Sequence, residues 1–520
     1  MTAATHTGWR ALLQGRQGLY CLTLTAGILL YALVLPVSYT ILPAIAKELN
    51  AGLYYAWIAM LFALGSLVGA CLLNHILHIM PAPMAYAGAL FLFAGGSLAC
   101  AYAPVLAFLL VACGIMGLGG GLMVALTYTM LNTALPPGLL PRSIGLISAM
   151  WGLATLIGPY LGGWFENWRL PFFIIGSLGL LFCPLAAFML NILGRTQQKR
   201  QGRRPEAAPL LPVFILTSLV FVISAGSLLE NLQAERDSLF GACPFFRFII
   251  GLLAGNTGSL GLAFLLIVFL AVTERNSAKR LLPAGTFSLS SVFAPLYGII
   301  ILNMVALGGA RLYLPLFLQN LHQAGPVSAG YLSFVDTIGW TIGTLIGATF
   351  NTAKPDKGSN KNFFQQKNQA GSLFVFIIAP LGCIFGLGGA FLLVPVLSGS
   401  YLVLGLIGCS LFITGFFSGI LWPHILARIV QNAAEGEQEA AGSSLVTIQF
   451  FAAAMADCLA GAVANITGLQ IENTASLAHS AAVLFGYCLL LLLIVFFLCL
   501  KVKIYPGHQP GCPAPDTTTR

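Results

Sequence analysis

Apolar runs of about 20 residues recur along the whole chain, and they constrain its possible folds more than any other feature of the sequence. A run of this length lets one helix cross the hydrocarbon core of a bilayer. A helix satisfies its backbone hydrogen bonds internally, as lipid requires of a spanning segment. Charged residues make up only 8% of the 520 residues, against roughly 25% in soluble domains. The sequence therefore predicts an all-α polytopic membrane protein.

Fourteen transmembrane helices are predicted, in groups of six, two and six. The predicted spans lie near 19–45, 53–75, 81–102, 105–131, 143–165, 170–193, 210–232, 248–272, 288–320, 328–350, 372–396, 400–426, 443–466 and 476–500. The predicted units are a six-helix bundle in 1–193, a basic cytoplasmic linker in 194–209, two extra transmembrane helices in 210–272, a second six-helix bundle in 273–500 and a cytoplasmic tail in 501–520.

Lysine and arginine are concentrated on one side of the predicted spans. Of 24 such residues, the loops on the other side hold only Lys47, Arg169, Arg236 and Arg247, and Arg311 lies inside a span. By the positive-inside rule, the basic side and both termini are cytoplasmic. The net charge of +9 is thus a topology signal and does not indicate nucleic-acid binding, which needs a clustered basic face. We expect a multi-pass protein of the plasma membrane, which in bacteria is the inner membrane.

The 12 cysteines stand singly along the sequence, mostly inside apolar runs. Their spacing includes no CxxC pair and indicates neither a disulfide framework nor a metal site, and no cofactor is expected. The first long apolar run opens near Leu19 and continues past Ile41 without a small-residue cleavage site. A cleavable signal peptide is therefore not predicted.

The segment SAMWGLATLIGPYLGGW (148–164) combines several glycines with a proline inside one apolar span. Gly158 and Gly162 are four residues apart, and so are Pro159 and Gly163. Each pair therefore shares a helix face on which a second helix can approach closely. Pro159 also removes a backbone donor and bends the helix. Together with Gly152, these residues are predicted to form a conformational motif, with a purely structural helix crossing as the alternative.

The pattern G-x5-G-P-x2-G-G in this segment resembles the antiporter signature of exporters in the major facilitator superfamily. The order of six, two and six spans resembles the fourteen-helix drug:proton antiporter branch, as do VTERNSAKRLLPAGTF (272–287) and LYLPLFLQNLHQAGPVSAGYL (312–332). The resemblance implies two pseudo-symmetric six-helix bundles with a substrate site between them near mid-membrane. It implies a secondary exporter that exchanges protons for substrate by alternating access. We expect a monomer whose partners are the lipid bilayer, protons and a small organic substrate.

The first half of the chain lacks charged residues that are usual in this family. From Leu49 to Pro141 there is no Asp, Glu, Lys or Arg, and the region GACLLNHILHIMPAP (69–83) has only an asparagine and two histidines as strongly polar side chains. Cys113 and Met116 stand where the resemblance implies Arg and Gln. Proton coupling is therefore expected in the second half.

Three charged side chains lie inside predicted spans of the second half, namely Arg311, Asp336 and Asp457. A charge at the bilayer centre costs roughly 2.5–3.5 kcal/mol on insertion scales, so such residues are functional candidates. Arg311 and Asp336 lie at about the same depth on either side of a turn near Ala324, which predicts an ion pair. No cation can be assigned to Asp457, and burial without one favours its protonated form. Asp457, and after it Asp336, are predicted to carry the coupling proton, with a structural role as the alternative.

Aromatic side chains and Arg311 are predicted to form the wall of the substrate cavity. The aromatic candidates are Tyr39, Trp57, Tyr128, Trp151, Tyr160 and Trp340, although packing or a place in the interfacial belt is the commoner role for such residues. This wall suits small amphipathic organic molecules and predicts an exporter of the multidrug type. Because Arg311 can bind a carboxylate, export of an endogenous anionic metabolite such as a siderophore is an open alternative. A transport-dead receptor or scaffold is another. An enzyme is not predicted, because no catalytic pattern occurs in a convincing context.

Overall fold

The computed structural model describes residues 12–135, 139–165, 167–194, 210–231, 256–277, 286–288, 291–349, 361–432 and 438–504, which form fifteen α-helices. In chain order, α1 to α15 are Gly15–Glu48, Tyr55–Cys71, Leu73–Ile79, Ala82–Ala101, Leu106–Ala134, Leu140–Trp164, Arg169–Gly194, Leu210–Asn231, Asn256–Asn276, Phe293–Leu321, Pro326–Thr349, Lys361–Leu393, Tyr401–Asn432, Gln438–Ile466 and Thr474–Ile504. The predicted linker, apart from Gly194, and both chain ends lie outside the described residues.

Twelve of these helices are long and apolar enough to cross a membrane, and the bent pair α2–α3 makes a thirteenth candidate if it counts as one span. The prediction of fourteen spans is therefore not reproduced by the described residues. The second predicted span breaks at Leu72, where the axis bends by 49°. The tenth predicted span, α11, is rich in glycine, serine and threonine and carries Asp336, and it is not among the twelve. The prediction of an all-α protein with many membrane spans is confirmed.

The helices pack in two groups. Helices α1–α7 contact one another through pairs such as α1–α6, α2–α5 and α4–α7, and α10–α15 do so through pairs such as α10–α15, α11–α13 and α12–α13. The groups meet where α2 lies against α14 and α6 against α11, and α1 contacts both α10 and α11. The pair α8–α9 lies beside this junction, with α8 against α2 and α14. Any site between the groups is therefore built from α1, α2, α6, α10, α11 and α14.

Glycines allow the same close helix crossing in each group. A Cβ atom at Gly121 of α5 would overlap the backbone of Ser66 in α2, and one at Gly343 of α11 would overlap the backbone of Phe416 in α13. Small residues at such positions let helix backbones approach closely in lipid. The glycine run at 117–121 and the stripe of Gly339, Gly343 and Gly347 beside Asp336 therefore both face neighbouring helices. If the bent pair α2–α3 is counted as one helix, the two crossings link the second and fourth helices of each group, which is the relation that an internal repeat produces.

Candidate functional site

The glycine motif of α6 lies where α6 contacts α1 and α11. A Cβ at Gly158 would overlap Pro36 of α1, and one at Gly162 would lie 3.0 Å from Thr40 Cβ. A Cβ at Gly163 would lie 2.7 Å from the backbone nitrogen of Val327, which belongs to the other helix group. The predicted motif thus contributes to contacts within one group and between the two groups.

A hydrogen bond joins the two groups beside this motif. The Tyr331 hydroxyl of α11 donates to the Leu156 carbonyl of α6 at 2.9 Å. Leu156 precedes Pro159, whose ring removes a helical hydrogen bond from this part of α6. Gly152 lies four residues earlier, and among the described residues a Cβ there would find no heavy atom within 4 Å beyond its own helix. Gly152 therefore does not share the close contacts of the other motif glycines.

This difference gives a matched pair of variants. We expect Gly158→Ala to destabilise the protein by about 1–3 kcal/mol, because its methyl group overlaps Pro36 and the helices must shift. Gly152→Ala should leave stability close to that of the wild type. Thermal unfolding of the purified variants in detergent measures the difference. Equal melting temperatures for the two variants would show that the Gly158 contact does not constrain the junction.

Arg311 and Asp336 form the predicted ion pair. The Arg311 guanidinium of α10 donates through Nη2 to Asp336 Oδ2 of α11, and the Asp336 side chain is 7% exposed. The Thr337 hydroxyl lies 3.4 Å from the other carboxylate oxygen of Asp336. The Arg311 guanidinium carbon lies 5.2 Å from the ring centroid of Phe334. Arg311 Nε is buried and has no hydrogen-bond partner within the described part of the chain, so one donor of this pair is left for another group.

Asp457 lies at the contact between the two helix groups. Its side chain, on α14, is almost fully buried, and the Tyr39 hydroxyl of α1 donates to its Oδ1 at 3.2 Å. The Tyr39 ring lies 6.0 Å from the ring of Phe334, which is the ring that Arg311 contacts. The sequence assigns no cation to Asp457, but the structure places Arg311 within electrostatic range of it, although Arg311 is already bound to Asp336. The three charged side chains thus form one cluster with Tyr39 and Phe334.

The other predicted wall residues lie in several environments. Trp151 packs edge-on against Tyr31 at 5.9 Å, and Trp340 packs edge-on against Trp422 at 6.3 Å. Tyr128 is half-buried against the core. Trp57 contacts a phenylalanine of α8, and Tyr160 is 46% exposed beside an exposed tryptophan. Of the predicted aromatic residues, Tyr39 is the one that hydrogen-bonds the charged cluster.

Sequence reasoning missed three aromatic residues near this cluster. Phe334 contacts both the Arg311 guanidinium and the Tyr39 ring, and Tyr313 of α10 stacks on Tyr55 of α2 with their centroids 4.7 Å apart. Phe334 and Tyr313 each lie two residues from a predicted charged residue in sequence. That spacing does not place two residues on one helix face, so the helical pattern gave no reason to choose them.

A family model described as the Major Facilitator Superfamily matches residues 24–457. The chain belongs to the major facilitator superfamily. A Mycobacterium tuberculosis protein named as a probable multidrug-efflux transporter is 28% identical over 470 residues, which cover 89% of this chain and 91% of that protein. Multidrug resistance protein 3 of Bacillus subtilis is 22% identical over 342 residues, which cover 64% of this chain and 61% of that protein.

A solved structure has the same overall fold. It is that of a bacterial homologue of the human lysosomal transporter Spinster in an inward-facing and unoccupied conformation, with a TM-score of 0.57 and 13% identity. The alignment covers 94% of this chain and 98% of that chain. As a member of the major facilitator superfamily, the protein is a multi-pass membrane transporter of small molecules and not an enzyme.

Proposed function

We propose that this transporter is a secondary exporter that exchanges protons for small amphipathic organic molecules by alternating access. The observation that carries the proposal is Asp457, a buried acid that contacts the opposite helix group through Tyr39. A carrier of this kind needs a titratable group that both sides of the membrane can reach in turn. A group at the junction of the two bundles meets that need, because rocking of the bundles changes which side is open.

The surroundings of the charged cluster favour an amphipathic substrate. The rings of Tyr39 and Phe334 supply an apolar surface, and Arg311 Nε, which has no partner among the described residues, supplies a donor for a polar group. The relatives from M. tuberculosis and B. subtilis bear names that refer to multidrug efflux or resistance. Since the Arg311 charge is neutralised by Asp336, the pair weighs against a carboxylate as the principal recognition group and therefore against the anionic-metabolite alternative.

The proposal is tested in proteoliposomes with an acidic interior. Outward proton flow through an antiporter should drive the amphipathic dye ethidium into the vesicles, where enclosed DNA reports its arrival by fluorescence. We expect accumulation that a protonophore abolishes and that protein-free vesicles lack. Driven uptake of carboxyfluorescein, with none of ethidium, would support an exporter of anions. The absence of driven uptake of either dye would favour a receptor or scaffold.

We further propose that the fourteen-span arrangement holds, with the bent pair α2–α3 as one span and α11 as another. The supporting observation is that the two helix groups are separated in sequence by α8 and α9, as in the branch with six, two and six spans. We propose that the protein is a monomer of the plasma membrane, in bacteria the inner membrane, and that both termini lie in the cytoplasm. The basic residues of the segment 194–209 support this orientation.

Impermeant thiol labelling of intact cells tests the orientation. In a background without other reactive cysteines, Gln470→Cys, in an exposed turn after α14, should be labelled from outside. Gln198→Cys, in the linker, should react only after the cells are opened. External labelling of Gln198→Cys would contradict the proposed topology.

A further inference from the structure

The hydrogen bond between Tyr39 and Asp457 crosses the junction of the two helix groups. Tyr39 belongs to α1 in the first group and Asp457 to α14 in the second, and both side chains are buried. The phenol donates and the carboxyl oxygen accepts, at 3.2 Å. The strength of this contact therefore depends on whether Asp457 is ionised, because a carboxylate accepts a stronger hydrogen bond than a neutral carboxyl group does.

We propose that Tyr39 is a positioning residue that links the protonation of Asp457 to the contact between the two bundles. This inference rests on the proposed proton exchange. When Asp457 is ionised, the Tyr39 hydroxyl holds α1 against α14 at this depth. When Asp457 takes up a proton, the hydrogen bond weakens and the two bundles are free to separate there. The proton thus changes the same contact that alternating access must break.

The local sequence of α1 allows Tyr39 to leave Asp457. Pro36 and Pro43 both lie inside α1, on either side of Tyr39. Pro43 has no backbone N–H, so the helical hydrogen bond that the Tyr39 carbonyl would accept from that position is missing. Prolines are the usual sites at which helices bend. The helix therefore lacks one backbone hydrogen bond at the residue whose side chain must move.

The charge state near neutral pH of the groups around Asp457 follows from their chemistry. The titratable and charged groups that interact with Asp457 are Tyr39, Arg311, Tyr313 and Cys458. Of their own neighbours, Tyr55 stacks on Tyr313 and Asp336 pairs with Arg311. Phenols and thiols are neutral at this pH, arginine keeps its charge, and Asp336 is neutralised by Arg311. The Cys458 thiol donates to the Val220 carbonyl of α8 at 3.3 Å.

Infrared spectroscopy tests this link without any substrate. The carbonyl stretch of a protonated carboxyl group, identified as that of Asp457 by its loss in Asp457→Asn, is followed against pH in the purified full-length protein. Tyr39→Phe removes the donor that favours the ionised form, so the midpoint should move to higher pH by about one unit. The matched control is Tyr31→Phe, because Tyr31 is also buried on α1 but donates to Ser66 within its own group at 3.1 Å. The control should leave the midpoint unchanged.

A second measurement follows the wild-type protein, so it tests the proposal even if Tyr39→Phe does not fold. With isotope-labelled tyrosine, one phenol C–O band should shift over the pH range in which the Asp457 carbonyl band appears, and Asp457→Asn should abolish that shift. An unchanged midpoint in Tyr39→Phe, the same shift in Tyr31→Phe, or no change in the phenol band would overturn the proposal. These outcomes are independent of ethidium transport, so failure of the proposed function is seen separately, as a loss of driven uptake in the wild type.

Discussion

Arg311→Gln should destabilise the protein by about 3–5 kcal/mol, because it leaves the buried Asp336 carboxylate without its partner. Asp336→Asn should destabilise it less, because the Arg311 guanidinium is only partly buried. The two residues face each other across the short connection between α10 and α11. Exchanging them, as Arg311→Asp together with Asp336→Arg, restores opposite charges at the same depth. The double variant should therefore recover much of the folded protein that the single variants lose. The yield of monodisperse protein and its thermal unfolding in detergent measure the effect.

Exposed charges contribute little to the free energy of unfolding. Lys47→Gln, at the exposed end of α1, therefore serves as the control that removes a cation without leaving a buried carboxylate. It should unfold like the wild type. If both single variants at the pair are as stable as the wild type, the Arg311–Asp336 contact does not hold α10 and α11 together, and the burial of Asp336 needs another explanation.

Asp457→Asn should abolish accumulation of ethidium driven by a pH gradient, down to the level of protein-free vesicles. Asparagine keeps the shape of the side chain and an oxygen that can accept from Tyr39, but it cannot take up or release a proton. Ethidium binding should therefore survive, and so should exchange of labelled for unlabelled ethidium across the vesicle membrane, which needs no net proton movement. The combination separates loss of coupling from loss of folding or of the substrate site.

Retention of wild-type accumulation in Asp457→Asn would move the search for the coupling residue to Asp336. That residue is the weaker candidate, because its carboxylate is already paired with Arg311. Loss of both accumulation and exchange would instead place Asp457 in the fold or in the substrate site.

The Arg311–Asp336 pair could be predicted from sequence because the chain itself fixes the depth of both residues. They lie on successive helices joined by a short turn, so counting residues from that turn gives their relative height. The glycine crossings were predictable for a similar reason, since a stripe of small residues in lipid needs a close neighbour. Both features follow from local geometry, together with the cost of burying an unpaired charge and the close helix packing that small residues allow.

The contact of Tyr39 with Asp457 could not be found in this way. The two residues are 418 positions apart, and their meeting depends on how two separate helix groups pack and on how each helix is rotated. The sequence also does not give the rotation of α6, so it could not show that Tyr160, predicted as a wall residue, is 46% exposed. The described residues give fewer candidate spans than the fourteen predicted, because apolar runs do not show the bend at Leu72 and span lengths do not register the polarity of α11.

Proton movement coupled to substrate is the most direct test of the proposed exchange at Asp457. Vesicles that enclose a pH-sensitive dye, with no pH gradient imposed, are given ethidium from outside. In wild-type vesicles, ethidium entry should drive protons out and make the interior alkaline, whereas Asp457→Asn vesicles should show no pH change. A wild type that moves ethidium without moving protons, or an Asp457→Asn variant that still alkalinises the interior, would contradict the account.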